Sequence, residues 1–352
     1  MRIRVRRRLL RASLLLVILL GSLTIPKEER ELSAQAGGGP LTSPGDDSGS
    51  QASSTEGALT ILLPVGARGI SLGRAMTARR GSESVFWNPA GIARMEGGQF
   101  TVFRGDHLAG EATAFSLLLT RQPLGSVAVS YQLLDLGDQD LTDRQGNILG
   151  TVSFRDHLGI VSFATRALPT LDVGLNFKVF QSKVTCRGQC ADAGVSGRTF
   201  AIDAGLQSTP VASLPLRISA MIAHVGPDLQ LINVAQADPL PTRLRLALAY
   251  EILDTFLEIP DMELWISAEV EDRWQELGSP ALYLGGELQA GRKDRFFLRA
   301  GYGRNQTGGS EGLAAGLGLR YERFELSIAK SLTGGSLGAA SEPVHVTFGV
   351  GF

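Results

Sequence analysis

The chain has 352 residues, 20% of them charged, with a formal net charge of −1. No excess of positive charge points to nucleic acid or to an anionic surface as a partner. Its 43 glycines argue against a mainly helical protein, since each interior glycine costs a helix roughly 1 kcal/mol relative to alanine. Strands and turns are the expectation.

Arg2, Arg4, Arg6, Arg7, Arg8 and Arg11 form a basic leader, and the run from Ala12 to Ile25 is uncharged and largely apolar. A membrane-spanning helix needs about 20 such residues, so the run suits the core of a signal peptide. Ala34-Gln35-Ala36 offers small residues for cleavage, which assigns residues 1–36 to an export signal. An uncleaved inner-membrane anchor is the alternative, because Pro26 to Leu32 places charges between the apolar core and that site. Residues 37–58, rich in Gly, Ser, Asp and Thr, carry too few large apolar groups to order themselves and read as a disordered linker.

Residues 59–98 differ: a short apolar stretch leads into a short helix, and Asn88-Pro89-Ala90-Gly91 then forces a turn. From Gln99 to Phe352 the pattern has a period of two. In Thr242 to Glu251, Leu244, Leu246, Leu248 and Tyr250 share one face, opposite Arg243, Arg245, Ala247, Ala249 and Glu251. Such alternation marks a strand, whose successive side chains leave opposite faces of a sheet. The final segment groups Val344, Val346, Phe348, Val350 and Phe352 against His345, Thr347, Gly349 and Gly351.

About 14 such segments begin near Gln99, Glu111, Gly125, Asp156, Leu171, Arg198, Leu216, Thr242, Met262, Ala281, Phe296, Gly312, Phe324 and Val344. Most are read as roughly 9 to 11 residues long, the length of a tilted membrane strand. Leu136–Thr151 and Lys183–Arg198 are read as the longest loops. The fold expected is all-β, a transmembrane antiparallel β-barrel over residues 99–352. A secreted soluble β-protein, such as a sandwich, is the minor alternative, because it too puts one face inside and one in water. The polar face carries charges of both signs, among them Arg243, Arg245, Glu269, Glu287, Arg299 and Arg320, as expected for pairing in a narrow wet lumen. Tyr131, Tyr250, Trp265, Trp274 and Tyr321 are expected as interface girdle residues or lumen fillers.

Cys186 and Cys190 are the only cysteines. In an oxidising compartment they would close a small disulfide ring within a loop. No histidine lies near them in sequence, and no metal or other cofactor is expected. Motifs for a zinc protease, a serine hydrolase or a nucleotide-binding loop are absent from the sequence, and the chain reads as a non-enzyme. Gly301-Tyr-Gly303 and Gly316-Leu-Gly318 read as relief of crowding inside a barrel.

Leu63-Pro-Val-Gly-Ala-Arg68, Leu72-Gly-Arg-Ala-Met76 and Phe86-Trp-Asn-Pro-Ala-Gly91 resemble the N-terminal signature of the PorV/PorQ family, relatives of the FadL-type long-chain fatty acid transporters. The likeness continues through Thr199–Leu206, Leu240–Leu246 and Leu298–Tyr302. It implies a barrel of 14 strands with the N-terminal segment folded into the lumen as a plug. By that resemblance Gly66, Arg68, Gly73, Trp87, Asn88, Pro89, Ala90 and Gly91 belong to the hatch. The sequence departs from the family where an acidic pair commonly precedes the Trp-Asn-Pro block: Arg79, Arg80 and Gly81 stand there, with Glu83 the only acid. The resemblance implies an outer-membrane location in a diderm bacterium, contact with outer-membrane lipid, and passage of a hydrophobic small molecule. The alternative is a type IX secretion component that binds exported proteins for surface attachment.

Overall fold

The structure, a computed structural model, describes residues 56–352 except 108–109, 191–193, 212, 232–236, 254–258, 305–311 and 333–342. The expected signal segment, and the linker up to residue 55, lie outside the described residues.

Fourteen strands follow one another along the chain. The first seven are β1 (Gly98–His107), β2 (Gly110–Arg121), β3 (Gly125–Thr142), β4 (Ile148–Leu168), β5 (Leu171–Gly188), β6 (Gly194–Ser208) and β7 (Leu216–Val225). The second seven are β8 (Arg243–Glu251), β9 (Met262–Arg273), β10 (Glu276–Ala290), β11 (Arg295–Arg304), β12 (Gly312–Tyr321), β13 (Phe324–Ser331) and β14 (Val344–Gly351). Each pairs antiparallel with its neighbours in sequence, and β1 pairs with β14 in the register Phe100↔Val350 to close the barrel. Closure satisfies the edge N–H and C=O groups, which would each cost several kcal/mol if left unpaired in hydrocarbon.

The two faces of the wall decide between barrel and sandwich. Leu317 is 64% exposed and Leu298 57%, whereas Arg299 and Glu287 are 1% and 0% exposed. A sandwich would bury those leucines and hydrate the charges. Here the large aliphatic side chains form the outer surface and the charges line the interior, which is the arrangement of a membrane-spanning barrel. On β8, Arg243, Arg245, Ala247, Ala249 and Glu251 all point inward, as the alternation indicates. Trp265 fills the lumen, while Trp274 and Tyr321 are exposed near opposite rims.

The wall is uneven in height. β4 has 21 residues and β3 and β5 have 18 each, against the roughly 9–11 that cross a bilayer. The segments read as long loops are therefore largely strand. β3 continues to Thr142 and β4 starts at Ile148, leaving a short turn in which Asp143 accepts bonds from the Gln145 and Asn147 backbone N–H groups at 2.9 and 2.8 Å. Likewise β5 runs to Gly188 and β6 starts at Gly194. Above the lipid both faces of a sheet meet water, so the hydrophobic alternation disappears while the hydrogen-bond ladder continues. Cys186 is disulfide-bonded to Cys190 at the far end of β5, with the Cα atoms 6.2 Å apart.

Ahead of β1, residues 56–97 fold inside the barrel. They contain 3-10 turns at Leu59–Leu62 and Pro89–Ile92 and short helices at Ala67–Ser71 and Ser84–Trp87. Ile61 packs with Leu158, Ile160, Phe180 and Leu240, and Val85, Ile92 and Ala93 pack with Leu118, Ala128 and Ala164. These apolar contacts join the segment to β2–β6.

Candidate functional site: the seam between plug and wall

The Asn-Pro-Ala-Gly turn is built to be held. Asn88 is extended, as a residue before proline prefers, and its Oδ1 caps the following turn by accepting from the Ala90 N–H at 3.0 Å. Its Nδ2 donates to the Thr77 carbonyl at 2.9 Å and to the Leu206 carbonyl of β6 at 3.3 Å. The wall makes room for this: a Cβ on Gly205 would lie 2.0 Å from Asn88 Oδ1, and one on Gly174 would lie 2.4 Å from Ala90 N. Gly91 packs against Ser84 and the Arg79 carbonyl. Trp87 donates its indole N–H to the Val65 carbonyl at 2.9 Å, and Pro89 is buried as well. Gly66 and Gly73 have φ of +96° and +59°, where a side chain is strained, and Gly73 meets the backbone of Gly301 and Tyr302 on β11. All eight expected hatch residues thus belong to one body in the lumen.

Charge fixes that body to the wall. Glu287 on β10 receives Arg68 through two bonds of 2.8 Å, Arg299 of β11 at 2.7 Å, and Arg79. One carboxylate therefore faces three guanidinium groups, two from the plug. Asp172 on β5 receives Arg80 at 2.9 Å and Arg94 at 2.6 Å, both from the plug. Glu269 on β9 accepts from the Thr77 backbone N–H and hydroxyl at 2.8 and 2.7 Å. Glu83 turns inward within the plug and accepts from the Arg68 and Gly69 N–H groups, which begin the helix Ala67–Ser71, and from the Thr347 hydroxyl of β14. Arginines at 79 and 80 thus stand on the plug and their acidic partners stand on the wall.

Other lumen charges pair across neighbouring strands or with the leading edge of the plug. Arg245 bonds Glu271 at 2.6 Å and Arg320 bonds Glu325 at 2.6 Å, each directly opposite in register. Arg243 reaches Glu56 through two bonds of 2.7 Å. On β5 and β6, Lys178 bonds Asp203 at 2.6 Å, and the Asp203 carboxylate also accepts from Asn176 and from the His224 N–H. The lumen charges expected from the alternation, Glu287, Arg299, Arg245, Glu269, Arg243 and Arg320, are joined here by Arg79, Arg94, Asp172 and Asp203, which the sequence does not single out as site residues. Their signal was available in part, since Asp172 and Asp203 lie on the polar face of alternating strands.

Among the described residues, two voids open along the seam. One of about 10 Å³ separates Val65 and Ala67 from Phe103, Ala112 and Ala114. The other, of about 240 Å³, lies under the plug at the end of the barrel that carries the chain terminus and the β10–β11 and β12–β13 turns, and its lining includes Arg68, Arg79, Glu83, Arg217, Trp265 and Arg299.

No protein-family model matches the chain, and no curated protein matches it. Solved structures do. The CymD monoaromatic hydrocarbon channel aligns with a TM-score of 0.54 at 11% identity, over 83% of this chain and 98% of that one. The Pseudomonas putida toluene transporter TodX aligns with a TM-score of 0.51 at 11% identity, over 82% and 98%. A Pseudomonas aeruginosa FadL homologue aligns with a TM-score of 0.52 at 10% identity, over 82% and 98%. At these identities what the chain shares with them is the barrel fold.

Proposed function

We propose that the protein passes a hydrophobic small molecule across the outer membrane of a diderm bacterium, with the segment 59–97 as the hatch that controls passage. The observation that carries this is a closed barrel with an apolar outer face, whose lumen is filled by its own N-terminal segment, held to the wall by ion pairs and apolar contacts. Neighbours of the same fold described as hydrocarbon channels and a toluene transporter support the substrate class. On this reading residues 1–36 direct export and 37–58 tether the hatch, and the end with short turns faces the periplasm.

The test is uptake of radiolabelled toluene by outer-membrane-bearing cells that lack hydrocarbon channels, with and without the full-length protein. Saturable uptake above the empty host is expected. Uptake equal to the empty host, with the protein present as a folded barrel in the outer membrane, would sink the reading.

A second reading takes the PorV-like likeness further: the protein receives exported proteins for surface attachment in type IX secretion. It is favoured by the height of β3–β6, whose extra length offers a stiff polar wall outside the membrane, braced by the 186–190 disulfide. Co-purification of exported proteins with this chain, lost when residues 138–152 are replaced by a short turn, is the result that reading requires.

A further inference from the structure

We infer that the 240 Å³ cavity under the plug is a binding site for a small carboxylate, an aromatic acid of the size of benzoate, held by arginines that have no carboxylate of their own among the described residues. The inference goes beyond transport, because it needs the plug to be seated and not that any molecule pass it.

The charge around this cavity does not balance. Its lining holds seven arginines and three glutamates. Each glutamate is already engaged: Glu83 with the backbone of the plug and Thr347, Glu325 with Arg320, and Glu263 with the Trp265 indole N–H at 3.1 Å. Glu287, just behind the lining, is shared by Arg68, Arg79 and Arg299, and Asp172 takes Arg80. Among the described residues Arg217 and Arg295 have no carboxylate within ion-pair distance.

Three details of geometry point the same way. Arg79 is 1% exposed, and among the described residues its Nε and Nη1 have no hydrogen-bond partner. Leaving buried donors unmet is costly, most of all on a charged group. The guanidinium groups of Arg79 and Arg217 both lie over the Trp265 ring, 4.7 and 3.9 Å from its centre, which concentrates two cations on one indole. Finally, Arg295 of β11 stands directly opposite Arg320 of β12 in the ladder, and both line the cavity. Like charges directly opposite one another destabilise a sheet; Glu325 answers Arg320, which leaves Arg295 as the cation of the pair that an anion in the cavity would meet.

The size and surface of the space select the class of anion. A cavity of about 150 Å³ accepts benzene, so 240 Å³ accommodates a benzene ring with a carboxylate. Guanidinium forks match the two oxygens of a carboxylate in a plane. Met95, Trp265 and Phe297 supply apolar surface to the same wall. Inorganic phosphate would use the arginines and leave that surface idle, while toluene would use the surface and leave the arginines unmet.

The experiment is calorimetric titration of benzoate, toluene and inorganic phosphate into the detergent-solubilised full chain. Variants R217Q and R295Q are included, with R155Q on the distant β4 extension as control, and each is confirmed as folded by its different gel migration before and after boiling. Benzoate is expected to bind at least tenfold more tightly than toluene or phosphate, and more weakly as salt is added. R217Q and R295Q should each weaken it about tenfold, equivalent to about 1.4 kcal/mol, and R155Q should leave it unchanged. Absence of benzoate binding overturns the inference, as does phosphate binding as tightly as benzoate. So does wild-type benzoate affinity in whichever of R217Q and R295Q folds. Toluene uptake is measured separately, so loss of the transport reading leaves this result standing, and the converse also holds.

Discussion

The outer and inner faces of the same strands are held by different physics. Outside, Leu284, Leu298 and Leu317 on β10, β11 and β12 meet a solvent that accepts any apolar shape. Inside, Glu287, Arg299 and Gly316 on those strands meet a folded plug that accepts only one arrangement: a Cβ on Gly316 would come within 2.6 Å of Ser71, and Glu287 must reach three arginines at once. The outer face therefore tolerates exchange among large apolar residues and rejects charge, whereas the inner face, where it touches the plug at Glu287 and Gly316, tolerates neither the lost charge nor the added methyl group. One wall carries a non-specific and a specific interface back to back.

The largest effect should come from Glu287→Gln. The carboxylate and two of its partners, Arg79 and Arg299, are at most 1% exposed. Removing one member of a buried ion pair leaves its partner uncompensated and costs about 3–5 kcal/mol. Reversible urea unfolding in lipid vesicles should show a loss of that size, and limited proteolysis should cut the plug before the strands. A variant as stable as the parent, with its plug still resistant, would break the claim that charge seats the plug.

Leu317→Arg tests the other face. Leu317 is in the middle of β12 and points outward, and an arginine at the bilayer midplane costs about 2–4 kcal/mol. The same unfolding measurement should register the loss, with the plug no more sensitive to protease than before. If the substitution were silent, the outward face would be wet and the two-solvent comparison would fail.

What could be read from the sequence follows the same division. Alternation in Arg243–Glu251 places Arg245 inside and Leu246 outside without any knowledge of neighbours, because the period of two is local and lipid asks only for apolarity. Strand starts at Gly125, Leu171, Met262 and Phe324 were legible for that reason. The outer parts of β3 and β4 were not, since Asp138–Thr142 and Ile148–Ser153 form a ladder where both faces are wet and alternation carries no penalty. The seam was legible only in its plug half. Asn88 and Pro89 announce a turn, but the pairing of Arg68 with Glu287 joins residues 219 apart and leaves no trace in either neighbourhood. Arg79 and Arg80 looked like a departure from an acidic pattern, and only the fold brings Glu287 and Asp172 opposite them.

The smallest of these effects should come from Arg94→Gln, and its smallness is informative. Arg94 shares Asp172 with Arg80, and its side chain keeps 20% of its exposure. After the change Asp172 retains Arg80, and Gln207 still accepts from the Arg80 Nε, so no carboxylate is left alone. Partly hydrated ion pairs contribute about 1 kcal/mol or less, and the unfolding midpoint should move accordingly, several times less than with Glu287→Gln. The contrast depends on which partner remains: Glu287→Gln removes the shared anion and leaves three cations, whereas Arg94→Gln removes one of two cations and leaves the anion paired. Equal losses from both would mean that the plug is held by the number of its contacts. Unequal losses in the stated order would mean that it is held by the balance of its charges.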